Sequence, residues 1–116
     1  MCTIFAYYCN ESLGVAKNHD TFIQKGMIFT NSRGKTKRSL VMPGEKVCQW
    51  KSKYGSLTFS QCGKGMPVEG MNEAGLVVEQ ATLPGTVYPE KDEKSEISCL
   101  EAIQYLLDLG GSVPEA

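Results

Sequence analysis

The sequence predicts an α+β fold of mostly antiparallel strands with one helix near the carboxyl end, and three observations carry the prediction. Short apolar or alternating runs, rich in β-branched and aromatic residues, recur between turn clusters as strands do. Only the stretch from about residue 96 to 109 repeats its apolar residues at three- and four-residue spacing. The chain has 116 residues, which is enough for one core and one domain and too few for two.

The elements follow in order. Thr3 to Tyr8 is an apolar, β-branched and aromatic run that suits a buried strand. Asn10 to Gly14 is a turn cluster, and a second run from Val15 towards Phe22 completes a hairpin. Gly26 to Thr30 is a third strand. The polar segment NSRGKTKRS then carries Arg33, Lys35, Lys37 and Arg38, the chain's basic cluster, which reads as a solvated loop or a guarded edge strand. Tyr54 to Gln61 alternates like a strand. Val68 to Leu83 reads as a hairpin turning at Asn72-Glu73-Ala74-Gly75, where Gly75 supplies the positive φ that closes a longer loop.

After a polar link from Pro84 to Lys94, a helix is expected from about Glu96 to Leu109. Ile97, Leu100, Ile103 and Leu107 would form its apolar face. Ser95 or Ser98 can cap its start, Ser98 and Glu101 have capping-box spacing, and Gly110-Gly111 stops it. Ser112 and Glu115 repeat that spacing with Pro114 between them, which is how a helix begins. A start signal one residue before Ala116 points to a truncated chain, and a frayed polar tail is the other reading of the same residues.

Composition narrows the function. With 41% hydrophobic and 22% charged residues, the chain is neither disordered nor fibrous. Twelve Lys and Arg against thirteen Asp and Glu give a net charge of -1, which argues against nucleic-acid and acidic-membrane binding. No run approaches the roughly 18 apolar residues of a membrane span. Met1 to Cys9 lacks the basic start and small-residue cleavage site of a secretory signal, so the expected location is the cytoplasm. Five scattered cysteines, with no CxxC pair, fit neither a disulfide framework nor a zinc site. Cys9, Cys48, Cys62 and Cys99 are therefore expected to be small, reduced core residues. No metal or other cofactor is expected.

Cys2 is different. Methionine is normally removed before a small residue, which would leave Cys2 as the amino terminus. A free α-amine titrates near about 7.7–8.0, so part of it is neutral at neutral pH and can accept the thiol proton. Nucleophile and base then share one residue, and no histidine is needed. If the second strand returns to the level of Cys2, Asp20 can orient the amine and a cation at Lys17 favours the thiolate. The same residues also fit an ordinary charged turn.

The start MCTIF, the G-x-x-K-N-x-D pattern from Gly14 to Asp20, the hairpin GMNEAGLVVE and the later IQYLLD resemble the choloylglycine hydrolases. These are linear amide hydrolases, including bile salt hydrolases and penicillin V acylases, within the N-terminal nucleophile superfamily. The similarity spans the chain in the family's order. It implies an αββα sandwich, incomplete here, and exposure of Cys2 by methionine loss. It also implies a thioester at Cys2, with Asp20 holding the α-amine. Lys17 stands where the family commonly has arginine, and it keeps the charge without the two-pronged donor. Thr82 stands where the family has an oxyanion-binding asparagine, a donor that can be worth about 10²–10³ in rate.

The resemblance further implies that another asparagine and an arginine of the site lie beyond residue 116, together with most of a second sheet. Residues 1–116 alone are then expected to be inactive or very weakly active and to expose one sheet face, which favours association, including homo-oligomers. The implied partner is a small-molecule N-acyl amide. Phe22 and Met66 are candidate substrate-lining residues, although residues of these types are more often simply core. The alternative is a catalytically inactive truncated homologue or a partner-binding fragment.

Overall fold

The computed structural model describes residues 2–20, 25–88, 90 and 97–116. Met1, Phe22, Ser95 and Glu96 lie outside the described residues. Strands β1 (Cys2–Cys9) and β2 (Ser12–His19) form an antiparallel hairpin, paired from Cys2 with His19 to Cys9 with Ser12. Its two-residue turn places Asn10 at a φ of 55°, a left-handed conformation that asparagine tolerates. Alternation along the paired strands puts Cys2, Ile4 and Ala6 on one face with Val15, Lys17 and His19. Phe5 and Tyr7 stand on the other face, half exposed.

Strand β3 (Met27–Asn31) begins a four-stranded antiparallel sheet. A separate short pair follows, made by β4 (Thr36–Arg38) and β5 (Gln49–Lys51). The basic segment is thus part turn, at Arg33, and part strand pair, at Lys37 and Arg38. The main sheet resumes with β6 (Ser56–Ser60), β7 (Glu69–Asn72) and β8 (Val77–Glu79), in the order β3-β6-β7-β8. Helix α1 (Ala102–Leu109) packs on β6, β7 and β8. The β1–β2 hairpin reaches the opposite face through Lys17, so helix, sheet and hairpin stack as three layers. Among the described residues no helix is long and apolar enough to cross a membrane.

The sheet face beneath the helix is polar. Thr58, Ser60 and Asn72 are buried there, and Asn31 donates from Nδ2 to the Thr58 hydroxyl at 3.0 Å. Burying such groups is tolerable only because they are hydrogen-bonded. Asn72 joins three elements. Its Oδ1 accepts from the Ala74 and Leu76 amides, closing the β7–β8 turn in which Gly75 has a φ of 90°. Its Nδ2 donates to the carbonyls of Leu107 and Gly110, which anchors the last turn of α1.

Gly70 lets the helix approach. A Cβ at this position would lie 2.7 Å from the Leu57 carbonyl oxygen and 2.8 Å from Leu107 Cδ1. The first contact is backbone and cannot move aside cheaply. Gly70→Ala is therefore expected to destabilise the fold by about 1–3 kcal/mol, read as a lower urea midpoint. An unchanged midpoint would mean that helix and sheet are less closely seated than described.

Three expectations are corrected. The run from Thr3 to Tyr8 forms a strand but not a buried one: Ile4, Phe5, Tyr7 and Tyr8 are exposed, because β1 and β2 pair only with each other. Helix α1 starts at Ala102, and Leu100 is 47% exposed, so only Ile103 and Leu107 of the anticipated apolar face are buried. The Ser98–Glu101 capping box does not close. Both carboxylate oxygens of Glu101 instead accept from the Leu40 amide at 3.0 Å, because that buried carboxylate meets a backbone donor just beyond β4. The cysteines are free but are not core residues. Cys9, Cys62 and Cys99 are exposed and Cys48 is half-buried, since the first three fall at or beside turns. The signal at Ser112 produces a single 3-10 turn, Val113–Glu115.

Candidate active site

The hairpin register returns β2 to the start of the chain. Cys2 faces His19 directly, and Lys17 pairs with Ile4, one diagonal step from Cys2 on the same face. Neighbours of this diagonal kind lie about 7–8 Å apart at Cα. Asp20 follows His19 at the same open end of the hairpin and accepts from Asn18 Nδ2 at 3.2 Å. Cys2 is a free thiol, half-buried, and it begins a strand whose whole length is laddered. The structure therefore brings Cys2, Lys17 and Asp20 to one end of one hairpin.

Lys17 is the strongest electrostatic feature there. Its side chain is 2% exposed, and its Nζ donates to the Val68 carbonyl at 3.1 Å. The same ammonium lies 3.5 Å from Glu69 Oε2 and 3.6 Å from Glu79 Oε2. Glu69 and Glu79 are direct cross-strand partners in the β7–β8 ladder, so two like charges face each other on one sheet face. Such a pair is unfavourable by itself. The ammonium from the hairpin layer offsets the repulsion, and it holds the hairpin on the sheet.

One cation does not neutralise two carboxylates. Burial first, and then the Glu69 carboxylate, push Glu79 up to about 7 from its usual 4.5, while Lys17 pulls the other way. Unfolded Glu79 titrates lower, so the folded protein holds an extra proton between the two values. Stability from this group is full below the unfolded value and is lost as pH rises through about 7. Glu79→Gln is expected to remove this slope. Its urea midpoint should exceed that of the parent at about pH 8 and approach it at about pH 5. Parallel pH profiles for the two proteins would show that Glu79 is not buried against Glu69.

Beside this cluster, between hairpin and sheet, lies a cavity of about 300 Å³. Leu13 and Val15 wall it from the hairpin side, and Leu57, Phe59, Met71 and Val77 from the sheet side. Among the described residues the lining reaches Lys17 but does not include Cys2. The arrangement offers an apolar recess, a buried ammonium at its end, and a thiol one step further along the same face.

The remaining candidates lie elsewhere. Thr82 is exposed in the irregular segment after β8. Met66 is half-buried and lines a different cavity, on the helix side of the sheet. Phe22 lies outside the described residues. The sequence reading also missed the most completely buried charged cluster. Asp108 is fully buried and accepts from Trp50 Nε1 at 2.7 Å, Gln104 Nε2 at 2.9 Å and Lys37 Nζ at 2.8 Å. An aspartate among leucines in the last helical turn was the available signal, because a carboxylate there needs donors. No protein-family model matches the chain, and no curated protein matches it.

Proposed function

We propose that this chain carries the nucleophilic end of a cysteine hydrolase that cleaves a linear carbon–nitrogen amide bond. After loss of Met1, the α-amine of Cys2 takes the thiol proton and the sulfur attacks the amide carbonyl carbon. The carbon–nitrogen bond breaks, the leaving amine receives the proton from the α-ammonium, and the acyl group remains on sulfur as a thioester. Water, deprotonated by the same amine, then releases the carboxylic acid and restores the thiol. Asp20 holds the ammonium form, and Lys17, whose charge is taken up by Glu69 and Glu79, fixes on the sheet the hairpin that carries Cys2.

The observation that carries this reading is the placement of Cys2. It is the first residue behind a removable methionine, fixed at the start of a fully paired strand, on the face that also presents Lys17. The resemblance to choloylglycine hydrolases points the same way and brings the αββα architecture with it. A small N-acyl amide is the proposed substrate, and the apolar recess suits an acyl chain.

A non-enzymatic homologue is the second reading, favoured by Thr82. This residue stands at the resemblance's oxyanion position and is exposed on an irregular segment.

Intact mass and acylation separate the two readings. The enzyme reading expects Met1 to be absent and p-nitrophenyl phenylacetate to acylate Cys2 first, ahead of the more exposed Cys9, Cys62 and Cys99. Retained Met1, or acylation that follows exposure alone, would exclude the enzyme reading.

A further inference from the structure

Strands β1 and β2 pair with each other and with no other strand, so the hairpin is a self-contained ladder laid over the main sheet. Its Leu13 and Val15 face Leu57, Phe59, Met71 and Val77 across the recess of about 300 Å³. Walls separated by a void forgo much of the attraction that close packing supplies. Among the described residues, the polar ties from these two strands to the rest of the fold all run through Lys17.

That tie carries too little positive charge. Lys17 Nζ lies 3.5 Å from Glu69 and 3.6 Å from Glu79, which are cross-strand neighbours, and Glu79 Oε2 is buried with no hydrogen-bond donor. Among the described residues no second cation pairs with either carboxylate. His19 stands further along the same hairpin face and is exposed. Gly111, Ser112 and Val113, which share another recess with Glu79, bring no charge, and Glu115 beside them accepts from the Gly111 amide. With both carboxylates ionised, one ammonium therefore stands against two negative charges in a largely desolvated place. Lifting the hairpin off the sheet hydrates all three groups.

We propose that the β1–β2 hairpin is a proton-operated cover over this recess, seated by Lys17 while the Glu69–Glu79 pair holds one proton and released when both carboxylates are charged. The cover is a property of the fold and stands whether or not Cys2 is a nucleophile. Cys2 travels with the hairpin, so release also unseats the proposed nucleophile from the recess.

The sign follows from the proton. When the hairpin is seated, burial and then Glu69 push Glu79 up to about 7, and when it is released and hydrated the group returns towards 4.5. Release gives up a proton, so seating is fully favoured below the lower value and is lost progressively as pH rises to about 7.

The Lys17 amine reports on the cover, since its side chain is only 2% exposed when the hairpin is seated. The full chain is treated briefly with N-hydroxysuccinimide acetate. Acetylation of Lys17 is read by mass spectrometry as a ratio to that of the exposed Lys51 and Lys53, which cancels the pH dependence of the reagent. From about pH 6 to about pH 8 the ratio is expected to rise about fivefold or more. The amides of α1 should keep their hydrogen-exchange protection over the same range, which separates release from global unfolding. Glu79→Gln and Glu69→Gln each leave one charge against one, so either variant should hold the ratio low at both pH values. A ratio in the parent that does not change with pH, a parallel loss of protection in α1, or an undiminished rise in either folded variant would each overturn the cover.

Discussion

Under the proposed mechanism, Cys2→Ala is expected to abolish the thioester adduct and to bring any hydrolysis of N-acyl amides by the chain down to background. Cys2→Ser should be nearly as inactive, because a hydroxyl is far less ionised than a thiol and the α-amine is a weak base for it. Neither change should disturb folding much. Cys2 is half-buried at the end of the hairpin, and replacing a thiol by a methyl or hydroxyl there removes little packing. The informative result is a loss of chemistry at a constant urea midpoint. An alanine variant that still hydrolyses amides as the parent does would overturn the mechanism, and a large fall in its midpoint would assign Cys2 a structural role. The experiment requires Met1 to be absent, since a retained methionine moves the amine to the wrong residue.

Asp108→Ala is expected to have the largest effect on stability. The carboxylate is fully buried and takes three side-chain donors, from Trp50, Gln104 and Lys37. Removing it leaves the indole N–H without an acceptor and the glutamine amide with only the longer bond to the Ser56 hydroxyl. It also leaves a largely buried ammonium without its counter-charge. Breaking a buried pair from one side typically costs about 3–5 kcal/mol, and the partial exposure of Lys37 favours the lower end. Asp108→Asn should lose less, because it keeps an acceptor oxygen for the indole. Adding Lys37→Met to Asp108→Ala should recover part of the loss by removing the stranded charge. Urea unfolding followed by the fluorescence of Trp50 reads all three. A loss below about 1 kcal/mol in the alanine variant would show that the cluster contributes little net stability.

Much of the fold was legible in the sequence because it depends on local chemistry. The run from Thr3 to Tyr8 and the turn after it mark the first hairpin, and β1–β2 forms there. Asn72 and Gly75 mark the second turn, and Gly75 takes the positive φ its position requires. The return of Lys17 and Asp20 to the level of Cys2 follows from counting residues back along an antiparallel pair. The helix start was less legible. Ser98 and Glu101 have the spacing of a cap, but the Leu40 amide, distant in sequence, takes the glutamate instead.

The sequence by itself determined that this chain has strands, where its two main hairpins turn, and that a cysteine directly follows Met1. Only the tertiary structure decided which face of each element is covered. In β6, the polar residues Thr58 and Ser60 are buried beneath the helix, while the apolar Leu57 and Phe59 look across a cavity towards the hairpin. A period of two separates the faces but does not say which one meets a partner. That choice depends on donors and charges contributed from far along the chain, as when Lys17 reaches Glu69 and Glu79 or Lys37 reaches Asp108. Local sequence carries no information about such pairings, because their energy exists only once distant segments are in contact.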